Sequence, residues 1–231
     1  MIDQLVVEDP AGVAAERLVK AAERRGHIAL AGGSTPRAAY ERAAEAGIDW
    51  SRATIWFGDE RCVPPDHEHS NYAMAKEALL NRVEPQPQVR RIEGERGPHE
   101  AAAAYEALLR EQFGEEVPAL DLILLGLGPD AHTASLFPGD AALDERERLA
   151  VGVETPGMAP EVSRVSLTLP VVNAAREVIF LVSGEDKAEA VARAFSGGAD
   201  PSAPASLVQP SPGTLTLVLD RAAAGRLEAG A

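Results

Sequence analysis

Two spacings of apolar positions alternate along the chain. Short, nearly continuous apolar runs fall at residues 27–31, 53–58, 120–125, 178–182 and 215–219, with a weaker one at 4–8. Runs of that length, bounded by glycine and charged residues, predict buried strands. Between them lie stretches with helical spacing: 10–25, 36–46, 71–82, 100–112 and 185–195. Their ends carry helix punctuation. Asp9 is placed as an N-cap with Pro10 at the first helical position, and Gly26 stops that helix. Ser34 or Thr35 is placed to cap the helix that Pro36 opens, Ser70 the one that starts at Asn71, and Asp220 a final helical turn. Residues 149–154 and 164–169 alternate like strands, and a short strand is expected near Val89. Strands alternating with helices predict an α/β fold whose mostly parallel sheet is covered on both faces. No repeat or linker divides the chain, so residues 1–231 are expected to form one domain, with 226–231 a frayed tail.

Composition narrows the classes of function. The chain has 231 residues, 45% hydrophobic and 25% charged, with a formal net charge of −14. Such a field disfavours nucleic acid and anionic membrane as partners, and an anionic substrate would need a local basic cluster. Cys62 is the only cysteine, which precludes an intrachain disulfide and disfavours a cysteine zinc site. No apolar run approaches the ~20 residues of a membrane span, and the first residues lack the pattern of a signal peptide. A cytoplasmic protein is expected.

Candidate chemistry concentrates in residues 120–139, LDLILLGLGPDAHTASLFPG. A buried strand runs into Gly126 and Gly128, and Asp130 and His132 follow at its C-terminal end, where open α/β sheets bind ligands. On its own the stretch fits an ordinary strand, a glycine turn and a satisfied histidine. It also fits His132 as a general base held by Asp130, with backbone N–H groups nearby for an anion. A dinucleotide fingerprint through Gly126, Gly128 and Ala131 is rejected, because Pro138 arrives before the helix that motif requires.

Other segments add to it. Gly32-Gly33-Ser34-Thr35-Pro36 is either a well-capped βα turn or an anion site made by free N–H groups and the helix dipole. Asp59-Glu60-Arg61 follows a strand predicted parallel to the central one. Arg61 can offer positive charge there, with Asp59 and Glu60 positioning it. Arg164 opens a strand, and Lys187, one of only three lysines, sits where a strand passes into a helix. Arginine and lysine are the usual phosphate partners. His27, His67, His69 and His99 show no metal-ligand spacing, so no metal is expected. Neither Ser34 nor Ser135 lies in a nucleophile elbow.

Taken together, GGSTP (32–36), FGDERCVP (57–64), HSNYAMA (69–75), LGLGPDAHTASLFPG (125–139), RVSLTLPVVN (164–173) and SGEDKAEAV (183–191) resemble the 6-phosphogluconolactonase family. That family is grouped in a superfamily with the glucosamine-6-phosphate deaminase/isomerases. The resemblance implies a Rossmann-like three-layer α/β/α sandwich and hydrolysis of 6-phospho-D-glucono-1,5-lactone in the oxidative pentose phosphate pathway. It further implies that His132 is the general base, that Asp130 orients it and that Arg61 holds substrate or stabilises negative charge. Gly33, Ser34, Thr35, Arg164 and Lys187 then form the phosphate site. No cofactor or metal is implied, and the partner is a small sugar phosphate bound by a monomer or small homo-oligomer. The deaminases resemble it less: where they carry a glutamate, this chain has Phe137. Two positions depart from the lactonase pattern. Ala131 replaces the usual glycine, so that position is expected not to need a positive φ. Leu217 stands where a tryptophan is often found.

Overall fold

The computed structural model describes residues 2–154 and 159–227. Seven strands form one sheet in which every pair is parallel. They are β1 (Ile2–Val6), β2 (His27–Leu30), β3 (Thr54–Phe57), β5 (Gln88–Val89), β6 (Leu122–Leu125), β9 (Glu177–Val182) and β10 (Thr214–Leu219), in the order β1-β10-β9-β6-β2-β3-β5. The helices are α1 (Pro10–Glu23), α2 (Ser34–Ala44), α3 (Asn71–Ala78), α4 (Pro98–Phe113), α5 (Leu169–Ala174) and α6 (Ala188–Phe195). This is the α/β/α sandwich expected. All four residues of β6 are buried, as a central parallel strand covered on both faces requires. Among the described residues no helix is long and apolar enough to cross a membrane.

The strand order reverses direction between β2 and β6. From β2 the chain winds outward to β3 and β5 on one side, and from β6 to β9 and β10 on the other, where the first strand, β1, forms the outer edge. The C-terminal ends of two such strands splay apart, which opens a crevice there. The two segments that follow them are GGSTP and GLGPDAH.

Two buried tyrosines stop strands at this edge. The Tyr40 hydroxyl accepts from the Ala31 N–H and donates to the Ala31 carbonyl, both at 2.8 Å. Tyr105 does the same for Phe57, both at 2.9 Å. Each occupies backbone groups that would otherwise extend a ladder, so β2 and β3 end there. Burial raises both phenols well above the ordinary tyrosine range.

Several expectations are corrected. Asp59–Arg61 is not merely the end of a strand; it is itself a strand, β4, in a second, antiparallel sheet with β8 (Arg164–Leu167) and β7 (Ala150–Val153), ordered β4-β8-β7. At Gly58 the chain leaves the main sheet, and the Gly58 carbonyl accepts from Leu167 N at 2.8 Å, tying the two sheets together. Leu169 does not extend β8 but opens α5. Helix α2 begins at Ser34 with Gly33 as its N-cap, so neither Ser34 nor Thr35 caps it and Pro36 stands third in the helix. The expected frayed tail does not begin at 226: Arg226 donates to Glu189 at 3.0 Å and Leu227 packs against the core. Residues 228–231 lie outside those described. The caps at Asp9, Ser70 and Asp220 are observed, with Gly12 N, Ala73 N and Ala223 N as donors.

Candidate active site

A cavity of ≈ 260 Å³ occupies the crevice between β2 and β6. Gly33, Ser34, Thr35, Arg61, His132, Arg164 and Lys187 all line it. Five separate segments of the chain supply them. Asp130 does not line it and stands behind His132.

The GGSTP wall is shaped by its two glycines. Gly33 has φ +111°, a region closed to most side chains. A Cβ on Gly32 would lie 2.0 Å from Asn71 Oδ1, so the glycine lets helix α3 approach the turn. The first N–H groups of α2, at Ser34 and Thr35, have no intrahelical acceptor, and they carry the positive end of the helix dipole toward the cavity. An anion suits that position.

The cations come from three places. Arg61 and Arg164 are Cα partners across β4 and β8 and stand side by side. Arg61 Nη1 donates to the His69 carbonyl at 2.7 Å, and Arg164 Nη2 reaches the Pro160 carbonyl at 3.3 Å. Arg164 is only 2% exposed. Among the described residues the Nε of both arginines is buried without an acceptor, and neither guanidinium forms an ion pair. Burial lowers the pKa of Arg164, the charge of Arg61 lowers it further, and Asp59 opposes both. It stays cationic at neutral pH all the same. Lys187, at the turn into α6, donates from Nζ to the Leu127 carbonyl at 3.0 Å. Buried donors that lack acceptors carry a free-energy cost, and a bound anion would relieve it.

His132 is fixed from several sides. Its Nδ1 lies 2.5 Å from Asp130 Oδ1, and its own backbone N–H donates to the same oxygen at 3.1 Å. The ring packs against Phe137 at 4.4 Å between centroids. A Cβ on Gly128 would lie 2.0 Å from His132 Nδ1, so this glycine leaves room for the ring. Thr133 Oγ1 donates to the Gly126 carbonyl at 2.9 Å and holds the loop against the end of β6. With a carboxylate at Nδ1, the proton belongs there and Nε2 keeps a free lone pair. Burial lowers the pKa of His132, against the hydrogen bond and charge of Asp130, so the imidazole is neutral at pH 7. Partial burial acts to raise the Asp130 carboxyl, but the bonds from His132 outweigh it and its pKa is lowered. A neutral imidazole braced by a carboxylate, beside an anion pocket, is an arrangement for removing a proton from water.

Ala131 contradicts the expectation drawn from its identity: its φ is +64°. Its N–H donates to the Gly128 carbonyl at 3.0 Å and its carbonyl accepts from Ala205 N at 3.0 Å, which hold it there. The left-handed region costs a non-glycine residue about 1–2 kcal/mol.

Neither Asp59 nor Glu60 positions the Arg61 side chain, as had been expected. Alternation along β4 sends Asp59 and Arg61 to the cavity and Glu60 away from it. Glu60 accepts from Arg61 N (2.7 Å), Asn71 N (2.7 Å), Ser70 Oγ (2.9 Å) and Tyr72 N (2.8 Å). Burial pushes its pKa up, against those hydrogen bonds. Since every neighbour donates, the carboxylate is the form that fits. Asp59 accepts from Asn71 Nδ2 at 3.0 Å and from Ser135 Oγ at 2.7 Å. The sequence had offered Ser70 and Asn71 only as a helix start. Two acidic residues directly after a buried strand were the available signal.

The other histidines stand apart. His69 contributes only its carbonyl, His99 pairs with Glu154 at 2.8 Å, and His27 lies at the opposite edge of the sheet. The chain beyond Gly128 turns without an α-helix before β7, so the dinucleotide reading fails as expected. Among the described residues no group of three or more His, Cys, Asp or Glu side chains is gathered to hold a metal.

Comparison with known proteins converges on one family. A family model described as glucosamine-6-phosphate isomerases/6-phosphogluconolactonase matches residues 3–217. The chain is 43% identical to a 6-phosphogluconolactonase of Nostoc over 206 residues, covering 87% of this chain and 84% of that one. It is 45% identical to a human 6-phosphogluconolactonase over 177 residues, 75% of this chain and 68% of that one. Among solved structures, a 6-phosphogluconolactonase from Trypanosoma cruzi superposes with a TM-score of 0.87 at 30% identity, covering 98% of this chain and 97% of that one.

Proposed function

Because the chain belongs to the glucosamine-6-phosphate isomerase/6-phosphogluconolactonase family, we propose that it hydrolyses 6-phospho-D-glucono-1,5-lactone to 6-phospho-D-gluconate, a step of the oxidative pentose phosphate pathway. The observation that carries the reading is the His132–Asp130 pair, with its free Nε2, set among cations that form no ion pair among the described residues. His132 Nε2 takes a proton from water as the water oxygen adds to the lactone carbonyl. Negative charge then builds on the carbonyl oxygen, and Arg61 stabilises it. When the tetrahedral intermediate collapses, the C–O bond to the ring oxygen breaks and the imidazolium returns its proton to that oxygen. Asp130 fixes the tautomer and steadies the imidazolium. The phosphate lies against Gly33, Ser34 and Thr35 at the start of α2, with Arg164 and Lys187 as its cations.

A lactone is a reactive ester, so a positioned water and a base suffice without a covalent intermediate or cofactor. General-base catalysis supplies about 10²–10⁴-fold, and positioning with charge stabilisation supplies the rest. The deaminase reading is disfavoured by Phe137, an apolar ring in contact with His132 that can transfer no proton. The reading takes residues 1–231 as one lactonase domain, working as a monomer or small homo-oligomer. It sets the enzyme in the cytoplasm, which suits a chain with no intrachain disulfide.

The test is hydrolysis of freshly made 6-phosphogluconolactone above its spontaneous rate, by the wild type and by His132→Ala. Fast turnover that collapses in the variant is expected. Turnover that survives the substitution removes His132 as the base, and a wild type without activity removes the lactonase reading.

A further inference from the structure

The cavity holds a carboxylate that the proposed mechanism leaves without a task. Asp59 lines it and is 6% exposed. A negative group in a site for a phosphate dianion weakens binding unless it meets a donor of its own. Among the described residues Asp59 forms no ion pair, although Arg61 and Arg164 stand close by.

Its neighbour in the same strand shows what a purely structural carboxylate looks like here. Glu60 faces away from the cavity and takes four donors, two on each oxygen. An ionised carboxylate has about four acceptor sites, so Glu60 is full. Asp59 takes one donor on each carboxylate oxygen, Asn71 Nδ2 and Ser135 Oγ. About half of its accepting capacity remains, and it faces the cavity.

We propose that Asp59 is a specificity-determining residue that accepts a hydrogen bond from the substrate hydroxyl beside the reacting carbonyl, with Asn71 and Ser135 as positioning residues. The assignment to that end of the substrate rests on the lactonase reading and on where Asp59 stands. Ser135, three residues beyond the base, donates from Oγ to Asp59 at 2.7 Å, which holds the carboxylate against the His132 loop and places it at the reacting end. The hydroxyl within reach is then the one on C2. Asn71 locks the arrangement: its amide also donates to the Asp59 carbonyl at 2.9 Å, and its other end abuts Gly32 of the GGSTP turn. Ser135 binds Asp59 to the His132 loop, and its N–H donates to Ser166 Oγ at 3.2 Å in β8. The hydroxyl acceptor is thereby referenced to the base, the phosphate turn and the arginine strand at once.

The experiment crosses two enzymes with two substrates: wild type and Asp59→Asn, each with 6-phosphogluconolactone and its 2-deoxy counterpart. A hydrogen bond to a charged acceptor predicts that removing the 2-hydroxyl costs the wild type about 10–100-fold in kcat/KM. Asp59→Asn should lose a similar factor on the full substrate and less than about threefold on the deoxy substrate. Equal losses on both substrates, with the wild type active, would overturn the proposal and leave the lactonase reading standing. A wild type inactive on both would overturn the two together. Should Asp59→Asn fail to fold, Ser135→Ala removes one of the carboxylate's donors and should give a smaller loss, again confined to the substrate that carries the hydroxyl. A loss shared equally by both substrates would count against it.

Discussion

His27 and His132 lie at opposite edges of one parallel sheet, and burial lowers the pKa of both. Their surroundings differ in what is left over. At the N-terminal edge His27 Nδ1 accepts from Trp56 Nε1 at 3.1 Å, and its ring packs against Phe113 at 4.7 Å. Its backbone N–H is met by Asp121 at 2.8 Å. Each of these contacts closes the structure around His27. At the C-terminal edge, among the described residues, His132 keeps a free nitrogen, two arginines have buried N–H groups without acceptors, and a helix presents its first N–H groups to a cavity. Around His27 the polar groups serve the fold, and around His132 they are held in reserve for a ligand. An unfilled donor inventory therefore separates the two histidines better than their pKa directions do.

The sharpest way to break the comparison is to close the reserved edge with one methyl group. Gly128→Ala places a Cβ where the His132 ring now sits. The displaced base should cost about 10²–10⁴-fold in kcat, with the circular dichroism spectrum retained. Arg164→Met comes next. It should lower kcat/KM on the phosphorylated lactone by about 10²-fold, while raising stability by about 1 kcal/mol or more, because a buried unpaired charge is gone. Urea unfolding beside the assay shows whether the two move in opposite directions. A loss of both would make Arg164 a structural residue.

His27→Asn should do the reverse, lowering stability by about 1–2 kcal/mol with turnover unchanged. It should also alter the pH dependence. The folded state holds His27 below its ordinary value, so the unfolded chain binds more protons as pH falls through ~6.5, and stability declines there. The variant should decline less steeply over that range. Ala131→Gly is the smallest effect. Relief of about 1–2 kcal/mol of left-handed strain is offset by about 0.8 kcal/mol for a buried methyl and by the greater freedom of glycine when unfolded. Stability should shift by less than about 1 kcal/mol and activity should stay as it is.

Much of this edge was legible because strands and turns announce themselves locally. The apolar run of β6 followed by Gly126 and Gly128, and the double glycine after β2, identify both walls of the crevice. Lys187 was legible as one of only three lysines, where a strand passes into a helix, and Arg61 and Arg164 as cations at the ends of predicted strands. What stayed hidden depends on partners distant in sequence. The sequence does not disclose that β4 leaves the main sheet to pair with β8, because that depends on a strand about a hundred residues later and on Leu167 N reaching back to the Gly58 carbonyl. The opposite duties of Asp59 and Glu60 follow from that pairing. Tyr40 and Tyr105 carry no mark of their role as strand stops, which depends on where helices α2 and α4 pack. Ala131 failed for an energetic reason: its strain is small enough for two hydrogen bonds to hold, one of them from the distant Ala205, so residue identity did not exclude a positive φ.

The account rests on His132 acting as a free base braced by Asp130, and the pH profile of kcat/KM tests that most directly. For the wild type, corrected for spontaneous hydrolysis, activity should fall on an acid limb whose midpoint lies below the ordinary histidine value, since burial lowers the pKa of His132. In Asp130→Asn that limb should move to still lower pH, because the carboxylate is what opposes the desolvation, and the rate on the plateau should drop. A limb that stays in place when Asp130 is neutralised would mean that another group titrates, and the His132–Asp130 mechanism would be wrong.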